Sequence, residues 1–348
     1  MLPENNSELL SLRLLSAEIG ADPLLVQGPG GNTSMKIGEV LWVKASGKSL
    51  KASASEEIFI PVNYMGVRAK LLEGATDPLD GQTITNLVSS TLRPSIETSL
   101  HAVMADPIVV HVHCVKTIGW SVAQKVEMTL SDVLQGEEWG WIPYRRPGVP
   151  LAEEILERKL ESARILILGN HGLVVTGDEP QKVAQLLKQV VKRLDRKPRR
   201  LPDTNIKTKD LQNFCADTAY CLPLKAEWHS LGVDTANLDI VSGGSLYPDH
   251  VIFLGPGVTM CPSAGQIKKY QLEKESPKLL VVPQSGILVL KGLSQVEKEM
   301  IQCLVDVVCR VPASQKIRYL TQSEEKDLLD WDAEQYRISL NAYPTSNV

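Results

Sequence analysis

The sequence predicts a layered α/β protein in two domains. Short β-branched runs alternate with segments of helical spacing, as stacked sheet-and-helix layers require. The chain, at 348 residues, is long enough for two cores of ordinary size. A basic, proline-containing stretch, KRLDRKPRR at 192–200, interrupts the alternation past the middle. A nucleic-acid patch and a solvated helix end running into a linker are both open there, and the linker reading places the domain boundary nearby.

In chain order, residues 7–20 space Leu9, Leu10, Leu12, Leu14 and Leu15 as a helix, with Gly20 as its stop. A glycine-rich loop, GPGGNTSMK at 28–36, precedes EVLWVKAS, which reads as a strand closed by a turn at Gly47. ETSLHAVMAD (97–106) reads as a helix ended by Pro107, and PIVVHVHCV (107–115) as a strand. ARILILGNHGLVVTG (163–177) holds two apolar runs meeting at Gly169–Gly172. EPQKVAQLLKQVVKRL (179–194) is a long helix with its cations near the C-terminal end, where the dipole favours them. The second half echoes the first: residues 285–310 can be laid beside 171–193, and DHVIFLGP beside DPIVVHVH. A partial repeat and a chance likeness of strand–turn–helix units both account for this.

Composition narrows the function classes. Hydrophobic residues at 43% and charged residues at 22% describe a soluble globular chain, and a net charge of −4 argues against a general nucleic-acid role. MLPENNSELL carries acids where a secretory signal carries bases, and no apolar run is long enough to span a bilayer as a helix, so a cytoplasmic protein without a membrane partner is expected. Six cysteines without a C-x-x-C pair are expected to be buried free thiols.

The chemistry concentrates in few residues. His111 and His113 form an H-x-H on a predicted strand, where i and i+2 share a face and both imidazoles reach one space. Cys114 then faces the other side, as core. His171 sits at the meeting of two apolar runs, a strand end where a third imidazole is available to a site. Glu97 reads either as favourable charge at a helix start or as a fourth ligand and general base. His101, four residues on, could pair with Glu97; His229 and His250 lack such settings. The glycine-rich loop fits neither the Gly-Lys-Ser/Thr phosphate loop nor G-x-G-x-x-G, so it is an anion cradle or a plain turn.

Taken together, GGNTS, KASGKSL, PSIETSLHAVM, VVHVHCV and NHGLVV resemble, in order and spacing, the motifs of the class II aldolase/adducin family over about residues 8–200. The resemblance implies a three-layer α/β/α domain around a central mixed, largely antiparallel sheet over 1–204. A smaller C-terminal α/β domain follows over 205–348, resembling the extension of longer relatives of rhamnulose-phosphate aldolase. It implies a divalent metal, zinc first, held by His111, His113 and His171, with Glu97 as fourth ligand and catalytic acid/base. It further implies a sugar-phosphate substrate, its phosphate held by Gly31, Asn32, Ser46, Gly47 and Ser95. The implied reaction is aldol cleavage or formation of a ketose phosphate or similar hydroxy-carbonyl compound through a metal-stabilised enediolate. Epimerisation, dehydration and an adducin-like scaffold are the alternatives, and a homo-oligomer is implied. Ile96 stands where the family's aldolases carry a second serine. Tyr144 lies in the region of their catalytic tyrosine, beside Arg145 and Arg146, which read either as contacts for an anionic substrate or as surface charge.

Overall fold

A computed structural model describes residues 7–87, 91–199, 208–270 and 276–340. The chain divides into two compact units. One comprises Met1–Ser121 with Lys125–Asp195, the other Val122–Gln124 with Arg196–Val348. The expected boundary at 204/205 falls outside the described residues.

In the first unit the order is α1 (Ser7–Gly20), β1 (Asn32–Ile37), β2 (Val40–Lys44), β3 (Phe59–Asn63), α2 (Tyr64–Leu72), α3 (Thr98–Val103) and β4 (Ile108–Val112). Then come α4 (Val115–Ser121), α5 (Glu127–Val133), β5 (Trp139–Ile142), α6 (Val149–Glu157), β6 (Ile165–Leu168), β7 (Gly172–Gly177) and α7 (Pro180–Arg193). Among the described residues seven strands form one sheet in the order β3-β2-β1-β4-β7-β6-β5. Every pairing is antiparallel except β5 with β6. The helices follow the strand pattern. Leu41, Val43, Val109, Leu166 and Val174 pack with Val67, Leu71, Leu100, Val103, Leu151 and Ile155 of α2, α3 and α6, while α1, α4 and α7 meet β1, β4 and β7. This is the three-layer arrangement, and its central strand β4 is buried along its whole length. Alternation along β4 therefore decides which helical layer each residue meets, and His111 shares the face of Val109, toward α3.

The second unit contains α8 (Thr208–Cys215), β8 (Tyr220–Cys221), α9 (Ser230–Val233), α10 (Thr235–Ser242), α11 (Pro248–Leu254), β9 (Thr259–Met260), α12 (Ala264–Tyr270), β10 (Leu279–Val282) and β11 (Gly286–Leu290). Three helices follow: α13 (Gln295–Val308), α14 (Gln322–Leu329) and α15 (Asp332–Ser339). Its four described strands order as β8-β11-β10-β9. Ser294 and Glu297 close a capping box on α13, and Thr321 and Glu324 do the same on α14, so both helix starts satisfy their own amide hydrogens. Residues 122–124 join this unit through backbone bonds from Gln124 N to Lys316 O (2.9 Å) and from Arg318 N to Val122 O (2.8 Å).

Two expectations are corrected here. DHVIFLGP, aligned with the strand DPIVVHVH, is helical: Pro248 presets the first turn, Asp249 sits favourably on the dipole, and Gly255 at φ +95° ends it. The cysteines are all free, but Cys215 and Cys221 are only partly buried. Among the described residues no helix is long and apolar enough to cross a membrane.

Candidate metal centre

The site is built where β1, β4 and the β6–β7 turn meet the start of α3. Antiparallel pairing sets Asn32 opposite His111 and, on the other side of β4, His111 opposite Val174. β4 ends at Val112, so His113 lies one residue beyond the strand, yet its ring still joins the others. The centroids of His111, His113 and His171 stand 4.7–5.1 Å apart. Glu97 caps α3 without giving its side chain to the helix. The carboxylate goes to the histidines instead, with Oε1 3.4 Å from His111 Nε2 and 3.4 Å from His171 Nε2. One ligand atom from each of the four residues lies within 4.8 Å of the rest, and all four residues are buried.

This donor set fits a divalent metal. Ligands about 2.1 Å from a tetrahedral zinc ion stand about 3.4 Å from each other, the spacing seen between Glu97 and two imidazoles. His111 Nδ1 stands 3.1 Å from Leu173 O. Only a protonated Nδ1 can donate to that carbonyl, so in the neutral ring Nε2 carries the lone pair and faces the site. Gly172 allows β7 to come this close: a Cβ there would lie 2.4 Å from Val112 O and 3.2 Å from the His111 ring.

Electrostatics suit the same role. Burial pushes the Glu97 carboxyl up, but attraction to the imidazoles, His111 first, then His171 and His113, outweighs it and holds the group at about 2. The carboxylate is therefore ionised at neutral pH. His101 is pushed down to about 3, chiefly by burial, so its ring is neutral. The expected side-chain pair of His101 with Glu97 does not form; His101 Nδ1 is 2.7 Å from Ser34 Oγ instead. Helical spacing put the two residues on one face, but the carboxylate was drawn upward to the imidazole cluster. His250 donates to Gly257 O, and His229 accepts from Ile287 N, so both serve structure.

The five residues expected around a phosphate lie on three neighbouring segments. Ser95 N donates to Lys44 O (3.1 Å) and Ser46 N to Arg93 O (2.9 Å), so the two serines flank the isolated bridge between Ala45 and Pro94. Gly47 at φ +74° turns the chain after Ser46. Gly31 enters β1 at φ +65°, a conformation that strains other residues, and a Cβ there would press on His111 O at 3.0 Å. Asn32 Nδ2 donates to Glu97 Oε2 at 2.6 Å, and Ser95 Oγ accepts from Glu97 N at 3.2 Å. Asn32 therefore touches the carboxylate itself, and Ser95 the backbone of the same residue.

Sequence reasoning missed Lys44. Its side chain is 1% exposed, and Nζ donates to Pro29 O (2.6 Å) and Lys48 O (2.7 Å), joining the two glycine loops from beneath. The available signal was a lysine closing an otherwise apolar strand, VLWVK. Tyr144 is buried, with its backbone against Gly169 at the start of the His171 turn. Arg145 is held by Glu154 at 2.7 Å, consistent with surface charge.

Residues 17–195 match the family described as Class II Aldolase and Adducin N-terminal domain. A Bacillus subtilis protein described as an uncharacterized oxidoreductase, YuxG, is 30% identical over 201 residues, 53% of this chain. The matched stretch spans 28% of that protein's length. Among solved structures, an N-terminal class II aldolase domain from Thermoplasma acidophilum is 26% identical with a TM-score of 0.48, covering 56% of this chain and 95% of its own. An L-fuculose-1-phosphate aldolase from Thermus thermophilus is 15% identical with a TM-score of 0.38, covering 54% and 92%.

Proposed function

The chain belongs to the class II aldolase and adducin family, and on that premise we propose that it is a metal-dependent lyase cleaving or forming a carbon–carbon bond in a ketose phosphate. The observation that carries the reading is the convergence of Glu97, His111, His113 and His171 in one buried cluster. A scaffold protein gains nothing from gathering four ionisable groups away from water, because their desolvation is costly. His111, His113 and His171 would hold a divalent cation, zinc being the ion this donor set suits first, which when bound would supply Lewis acidity to a hydroxy-carbonyl substrate.

The chain's own residues do the rest. Glu97, ionised and anchored by Asn32, takes the substrate proton and later returns it. Ser46, Gly47, Ser95 and the backbone at Gly31 bind the phosphate. Asn32 spends one amide hydrogen on Glu97 and offers the other to the anion. Lys44 ties both loops together through Pro29 O and Lys48 O, which fixes their backbone amides for an anionic ligand. The burial of all four cluster residues limits water at the reacting centre. A homo-oligomer belongs to the same proposal, and light scattering on the purified protein measures it.

Metal analysis of the wild type beside His113→Ala tests the reading, followed by aldehyde release from a panel of ketose 1-phosphates. About one divalent ion per chain, lost in the variant, with turnover of one panel member, is expected. A wild type that binds no divalent ion even after reconstitution overturns it and leaves an adducin-like scaffold. Metal bound without aldehyde release, but with interconversion of two pentulose phosphates, replaces the lyase with an epimerase.

A further inference from the structure

Two side-chain contacts join β1 to α3. Asn32 Nδ2 donates to Glu97 Oε2 at 2.6 Å, and two residues along the strand Ser34 Oγ lies 2.7 Å from His101 Nδ1. The steps are i, i+2 on the strand and i, i+4 on the helix, the spacings at which side chains share a face. The two contacts are therefore successive rungs of one ladder. Only the upper rung touches the carboxylate of the metal centre.

Holding His101 in the lower rung is costly to the fold. The residue is fully buried, and its Nε2 has no hydrogen-bond partner among the described residues. A buried polar atom left in this state calls for a compensating role, since an apolar side chain would fill the space without the penalty. The ring's one side-chain hydrogen bond goes to Ser34. Its backbone N–H meets Glu97 O at 3.3 Å, closing the first turn of α3 directly behind the carboxylate. With the upper rung alone, Glu97 could pivot about Asn32; a second attachment one turn down removes that freedom.

We propose that His101 and Ser34 are positioning residues for Glu97, their hydrogen bond locking α3 against β1 so that the carboxylate stays over the imidazoles of His111 and His171. This deepens the metal-centre reading and rests on it. Small displacements matter at such a centre, because groups that orient metal ligands change metal affinity about 10–100-fold when removed.

Cobalt(II) titration followed by visible absorption tests the ladder on the full chain. The proteins are wild type, Ser34→Ala, His101→Leu, His101→Asn and the double variant Ser34→Ala/His101→Leu. Ser34→Ala and His101→Leu are each expected to weaken cobalt binding about 10-fold or more and to shift the d–d bands. The double variant should be no weaker than the worse single one, because both break the same rung. His101→Asn, whose amide nitrogen can take the place of Nδ1, should recover most of the affinity. Single variants with wild-type affinity and bands, or losses that add in the double variant, overturn the proposal. Should the wild type itself take up no cobalt, the metal reading fails separately. The ladder is then judged by a crystal structure of Ser34→Ala: a carboxylate displaced from Asn32 upholds it, and an unmoved one overturns it.

Discussion

The β6–β7 hairpin of the first unit and the β10–β11 hairpin of the second turn in the same way. Leu168 pairs with Gly172 in one and Val282 with Gly286 in the other. Asn170 and Gln284 take left-handed conformations at φ +52° and +60°. The next residue, His171 or Ser285, donates its N–H back to Leu168 O or Val282 O at 3.1 and 3.0 Å. Each hairpin leads into a 14-residue helix, α7 or α13. Each glycine also faces an imidazole, His111 beside Gly172 and His229 beside Gly286. The surroundings differ. β7 borders β4, which brings His111 and His113 to His171. β11 borders the two-residue β8, and His229 Nδ1 already accepts from Ile287 N at 3.1 Å. A turn presents a residue; the neighbouring strand decides whether that residue has company.

The largest expected effect comes from making the first hairpin like the second. His171→Ser should lower metal content from about one ion per chain to near zero and activity by about 10³-fold or more, with far-UV circular dichroism unchanged. Elemental analysis reads the metal, and a variant that keeps it breaks the comparison.

Adding one carbon to each hairpin glycine comes next. A Cβ at Gly172 would stand 2.4 Å from Val112 O, and one at Gly286 2.3 Å from the His229 ring. Gly172→Ala and Gly286→Ala should each lose about 2–3 kcal/mol in urea unfolding. Only Gly172→Ala should also weaken metal binding, since only it displaces His111.

Acid should then separate structural imidazoles from the site. Burial pushes His250 down to about 4, while the unfolded ring titrates near 6.5. Between those values the unfolded chain holds more protons, so the stability this group provides is present above pH 6.5 and lost as pH falls through about 4. The slope from this one group is at most about 1.4 kcal/mol per pH unit. Urea midpoints measured from pH 7.5 to 4.5 should fall less steeply in His250→Gln than in the wild type.

The smallest effect lies in the turns themselves. Gln284→Gly should stabilise by about 1 kcal/mol by relieving a left-handed glutamine. Asn170→Gly should bring no such gain, because asparagine tolerates that conformation. Equal gains in both would show that the asparagine carries the same strain.

Much of the fold and most of the cluster could be read along the chain, because strand and helix periods are local signals repeated many times. H-x-H on a β-branched run, NHG between two apolar runs and the helix opening at Glu97 each announce themselves within ten residues. What only the tertiary structure decided are the partners of polar side chains. Asn32 meets Glu97 across 65 residues of sequence and Ser34 meets His101 across 67, through sheet register and helix placement. Lys44 reads as a strand end until its ammonium is seen between two loops. DHVIFLGP, with the composition of a strand, folds as a helix between its own proline and glycine. Residues 122–124 join the second unit through an isolated bridge from Ala123 to Ile317, nearly two hundred residues on. Periodicity records which face a residue occupies; what waits on the other side of that face is set by chain segments tens to hundreds of residues away.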